Sequence, residues 1–73
     1  ALGEAAQAAS LYEKAAAKAD NLFAAAYLVK AGQMYQSLGQ NDKALKSFQT
    51  VKEKYPQSIE GYDIDKYINR VSE

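Results

Sequence analysis

Two stretches of this chain repeat each other. Leu38-Gly39, Ala44, Phe48, Val51 and Pro56 follow an earlier series, Leu2-Gly3, Ala8, Tyr12 and Ala15, at an offset of 36 residues. A period of this size belongs to helical solenoids, whose units cannot bury an apolar face alone and bury it on their neighbours. The constraint extends to function, because such arrays present surfaces that hold other proteins and carry little chemistry.

The remaining composition narrows the classes further. Folding 73 residues buries only about 60–65% of the surface that the unfolded chain exposes, so stability should be modest. There is no cysteine, so neither a disulfide nor a thiolate metal site can staple the fold. Nine basic and nine acidic residues cancel, which argues against nucleic acid or an anionic membrane as partner. No apolar run approaches the roughly 20 residues of a membrane-spanning helix, and no secretory apolar core is present. Histidine and cysteine are both missing, no glycine-rich phosphate loop occurs, and Ser10, Ser37, Ser47, Ser58 and Ser72 have no base in a recognisable motif. We therefore expect no catalysis and no cofactor. The chain opens on Ala1-Leu2-Gly3 without Met, at a point equivalent to the turn inside a repeat. We expect from this a C-terminal fragment of a longer protein, with removal of an initiator Met as the alternative.

Periodicity predicts four helices and no strand. The first runs from about Glu4 to Lys18 and is rich in alanine, the strongest helix former. Ala5, Ala8, Tyr12, Ala15, Ala16 and Ala19 recur at spacings of three and four and mark its apolar face, with Leu11 outside the stripe. Asp20 and Asn21 offer side-chain acceptors for the start of the next helix. That helix spans about Leu22 to Leu38, with Phe23, Tyr27, Ala31, Met34, Tyr35 and Leu38 as its stripe, and Gly39 ends it in a left-handed conformation. Asn41 or Asp42 can cap a third helix ending at Lys54, with Ala44, Leu45, Phe48 and Val51 inward. Tyr55-Pro56 stops it, because the residue before proline is pushed out of the α region. A last helix covers about Ile59 to Val71, capped by Ser58. Ile64, Tyr67, Ile68 and Val71 face inward, and Gly61 weakens the first turn by up to about 1 kcal/mol.

These residues resemble the tetratricopeptide repeats, whose unit is two antiparallel helices in about 34 residues. Ala25 to Ser58 matches one unit: Leu28 at a large position, Gly32 at the small crossing position, Tyr35 at the aromatic, Gly39 at the inter-helix turn, Ala44 and Phe48 on the second helix, Pro56 at the closing turn. Ala31 and Val51 depart from the usual leucine and alanine. Residues 1–20 are similar to the second helix of a preceding unit, residues 22–58 to a complete one, and residues 59–73 to the closing helix of such arrays. The Lys54–Ser58 run also resembles bacterial cell-envelope members. The resemblance implies an all-α fold of antiparallel helix hairpins, an α-solenoid segment of four helices.

It also implies a binding face. The first helix of each unit lines a groove in which partner peptides lie, and by position Ala26, Val29, Lys30, Gln33, Gln36 and Ser37 point into it. A protein or peptide partner is expected there, or else an ordinary solvated helix face. Members that clamp a C-terminal carboxylate use paired lysine and asparagine. Val29 and Gln33 stand at those positions, so no clamp is expected. Six tyrosines are read as core or boundary residues, not stacking platforms for nucleic acid. Lys43, Lys46, Lys52 and Lys54 are read as a solvated face. Glu60, Asp63 and Asp65 are explained by the dipole of the last helix. The apolar flank of the first two helices suggests a homodimer. A different reading makes the segment purely architectural, an end cap whose partners bind upstream.

Overall fold

The computed structural model describes residues 2–19 and 21–72. Four helices follow one another: α1 (Leu2–Ala19), α2 (Leu22–Ser37), α3 (Asn41–Lys54) and α4 (Ile59–Ser72). Each packs on the next, and α2 alone touches all three others. The reason lies in its composition, since LFAAAYLVKAGQMYQS is apolar nearly all round, the mark of an enclosed helix. Ala24, Ala25, Ala31 and Gly32 are buried on it, and their small size lets neighbouring backbones approach. The slab measures 34 × 30 × 14 Å.

Local chemistry sets the helix ends. Asn21 caps α2, its Oδ1 accepting from the Phe23 amide at 2.9 Å; the Asp20 expectation lies outside the described residues. At the far end Gly39 adopts φ +76°. Its amide reaches the Gln36 carbonyl, and the Gln40 amide donates to Tyr35 at 2.8 Å. This pair of bonds satisfies carbonyls the helix would otherwise leave orphaned. The cap of α3 differs from expectation. Gln40 holds that position without a side-chain bond, while Asn41 and Asp42 lie inside the helix, where Asp42 favours the positive end of the dipole. Ser58 serves α4 as expected: its Oγ accepts from the Gly61 amide at 2.9 Å and donates to the Tyr55 carbonyl at 2.7 Å.

The core is a short ladder of contacts across the slab. Phe48, Ile64 and Val51 are its largest fully buried side chains. The Phe48 ring lies against Gly32 so closely that a Cβ there would stand 2.7 Å from its Cζ. On its other side Phe48 stacks on Tyr67, centroids 5.3 Å apart. Gly32, Phe48 and Tyr67 thus register α2, α3 and α4. Burying one such phenylalanine contributes about 1.5–3 kcal/mol.

Three expectations about packing are corrected. In α1 the fully buried residues are Ala9 and Ala16, whereas Ala5, Ala8, Tyr12, Ala15 and Ala19 are only half-buried. So many alanines leave no size contrast to mark the true seam. Leu2 and Gly3 belong to α1 and form no turn, because the alanine-rich flank carries the helix through Gly3 at a cost of at most about 1 kcal/mol. In α2 Phe23 and Tyr27 face solvent, since the buried side runs through Ala24, Ala25, Leu28, Val29, Ala31, Gly32 and Tyr35. Of the tyrosines read as core or boundary, Tyr55 takes the core side at 8% exposure.

Candidate functional site

The open side of α2 carries Ala26, Lys30, Gln33 and Ser37 at spacings of four, three and four, one line along a helix. Two hollows flank that line. The first, of about 290 Å³, is walled by Leu22, Phe23, Ala26, Gln57, Ser58, Ile59 and Glu60. It lies where the first turns of α2 and α4 meet, and its walls are mostly hydrocarbon. Phe23 and Ile59 are 74% and 80% exposed, and Tyr62 extends the exposed apolar surface on α4. Such a cluster is costly to leave in water.

The second hollow, of about 230 Å³, is lined by Tyr12, Lys30, Gln33, Met34 and Ser37. Its walls mix the hydrocarbon of Tyr12 and Met34 with the polar ends of Lys30, Gln33 and Ser37. The Lys30 ammonium sits 5.8 Å from the centroid of the Tyr12 ring, and Tyr12 in turn stacks on Tyr27 with centroids 6.4 Å apart. The cation–π contact holds the lysine over the hollow with its ammonium still exposed. The Ser37 hydroxyl donates to the Gln33 carbonyl at 3.0 Å, which leaves its oxygen as an acceptor.

The six residues expected on the binding face therefore divide. Lys30, Gln33 and Ser37 come together at the second hollow and Ala26 lines the first. Gln36 is half-buried off the line, and Val29 is buried at 7% exposure, leaving a partner almost no surface on it. Leu22, Phe23 and Ile59 were not foreseen as site residues. Their signal was present: Leu22 and Phe23 are apolar residues at the very start of α2, and Ile59 lies off the Ile64–Val71 stripe of α4.

Neither hollow holds the makings of a metal site. No group of three or more His, Cys, Asp or Glu able to hold a metal ion occurs among the described residues. Asp65, one of the three acids near the start of α4, pairs instead with Lys52 at 2.8 Å on the surface. No helix is long and apolar enough to cross a membrane, among the described residues. What the arrangement offers is an anchor pocket for an apolar side chain beside a row of hydrogen-bond donors and acceptors.

Residues 26–58 match the family model described as tetratricopeptide repeat. No curated protein and no solved structure matches the chain.

Proposed function

We propose, from the match of residues 26–58 to the tetratricopeptide repeat, a module generally of protein–protein interaction, that the chain holds an extended peptide of a partner protein along α2. The supporting observation is the adjacency of the two hollows. An aliphatic or aromatic side chain of the peptide enters the space between Phe23 and Ile59, and Lys30 and Gln33 hydrogen-bond its backbone carbonyls. Apolar anchors supply most of the energy of such contacts, and the polar row fixes direction and register. In this reading α1 is the second helix of a preceding unit, residues 22–58 a full unit and α4 the closing helix. The protein acts as a scaffold or adaptor without catalysis.

The architectural reading has one observation in its favour: Asp63, Asp65, Lys66, Asn69 and Arg70 give α4 a polar outer face, as an end cap needs. Ile59 and Tyr62, both 80% exposed, fit it poorly. Pairing of two copies through the first two helices, with Leu11 at 59% exposure on the outer side of α1, is the competing occupant of the apolar surface.

Selection of peptides from a random display library against the chain separates these readings. The interaction reading expects enriched sequences with a shared apolar anchor, whose binding is lost in Phe23→Ser/Ile59→Ser and weakened in Lys30→Glu/Gln33→Ala at unchanged helicity. Binding that ignores both variants, or a library that yields no shared anchor, overturns it.

A further inference from the structure

The opposite side of the slab carries a second groove. Helices α1 and α3 both pack on α2, yet no Cα of one comes within 8 Å of a Cα of the other among the described residues. The trough left between them is floored by Leu28 and, further along, Tyr35. Its two connected sections hold about 310 and 330 Å³ and share Glu13, Leu28 and Thr50 as lining residues.

Its charge is uneven. Of the four α3 lysines that a linear reading groups together, Lys52 faces away and pairs with Asp65. Lys43, Lys46 and Lys54 all line the trough, and none forms an ion pair among the described residues. The one carboxylate in the walls, Glu13, accepts a hydrogen bond from the buried Tyr35 hydroxyl. Lys43 lies over the ring of the same tyrosine, 5.6 Å from its centroid. Thus the structure places three exposed cations along one wall, and the small Ala16 and Ala17 with a single, already engaged anion opposite. In a chain whose net charge is zero, this is a local field, and it draws an anionic partner.

We propose that the α1/α3 groove is a docking surface for an extended acidic segment of another protein, carboxylates on Lys43, Lys46 and Lys54 and the middle of the segment against Ala17 on the opposite wall. The dimensions agree. Lys43 and Lys54 are eleven positions apart on one helix, about 16 Å along its axis, a distance that about five residues of extended chain span. Ala16 and Ala17 on the α1 wall present no bulk to obstruct a backbone. This surface is separate from the α2 face and does not depend on what binds there.

The test is fluorescence anisotropy on the full chain with a labelled Asp-Asp-Leu-Leu-Asp-Asp peptide. A Lys-Lys-Leu-Leu-Lys-Lys peptide and a single-stranded oligothymidylate serve as comparators. We expect saturable binding of the acidic peptide alone, falling as salt rises from roughly 50 to 300 mM because exposed charges are screened over that range. Lys46→Glu/Lys54→Glu weakens it about tenfold. Lys66→Glu/Arg70→Glu, with the same change in net charge on α4, and Lys30→Glu on the α2 face leave it within about twofold. Equal loss in the α4 variant would make the effect one of net charge, and loss in Lys30→Glu alone would move the site to α2. Either result overturns the proposal. So does an absence of saturation below about 1 mM, or an oligonucleotide that binds these lysines when the acidic peptide does not.

Discussion

Replacing Gly61 by alanine sets two physical effects against each other, and the structure says which wins. In an exposed helix the change would stabilise α4 by up to about 1 kcal/mol, because glycine has the larger backbone entropy to lose. Gly61, however, sits where α4 crosses the end of α3. A Cβ there would lie 2.5 Å from the Tyr55 carbonyl oxygen and 2.7 Å from that of Pro56. Both obstacles are backbone, so no side chain can rotate away, and α4 must retreat by about 1 Å to restore van der Waals distance. That retreat loosens Ile64, 1% exposed, and the Tyr67 stack on Phe48. Overpacking of this kind costs about 1–3 kcal/mol, which outweighs the propensity gain. The net expectation is a loss of about 1–2 kcal/mol, or a Tm lowered by about 4–8 °C per kcal/mol in a domain of this size. Thermal and urea melts followed by circular dichroism measure it. Gly3→Ala is the internal control, because nothing lies within 4 Å of the added methyl in α1 and stability should rise by a few tenths of a kcal/mol. If Gly61→Ala melted at or above the parent temperature, the α3/α4 crossing described here would be wrong.

Three further outcomes are expected. Gly32→Ala forces a methyl into the fully buried Phe48 ring and should cost about 1–3 kcal/mol by urea denaturation; an unchanged midpoint contradicts the Gly32–Phe48–Tyr67 registration. Ser58→Ala removes the acceptor of the Gly61 amide and the donor to Tyr55 at a residue 4% exposed, a loss of about 1–2 kcal/mol, and faster hydrogen exchange in the first turn of α4 should accompany it. Lys52→Gln breaks an ion pair whose side chains are 58% and 68% exposed, so the melting midpoint should move by less than about 0.5 kcal/mol equivalent; a larger shift would mean the pair is more than a surface contact.

What could be read from the sequence was local. Both limits of α2, the end of α3 and the start of α4 were legible because their determinants sit within a few residues: Asn21, Ser58 and Gly39 act on amides and carbonyls two to five positions away, and Pro56 restricts Tyr55 directly. The Gly32 crossing was also legible, through its place in the repeat. What escaped was lateral. In α1 alanines occupy every face, so the Ala9–Ala16 seam carries no mark of its own. In α2 the apolar residues outnumber the buried positions, which hid the exposure of Phe23 and the burial of Val29. Gly61 looked like a propensity defect because the carbonyls it avoids belong to another helix end. The α3 lysines looked like one solvated face until the position of α1 separated Lys52 from the other three.

The claim that α2 is the face presented to a partner is tested most directly by amide chemical-shift mapping of the chain with the tightest peptide from the display selection. The account predicts shifts concentrated at Phe23, Ala26, Lys30, Gln33 and Ile59, with Val29 moving little. Shifts confined to the outer side of α1 around Leu11, with the α2 line unmoved, would contradict it.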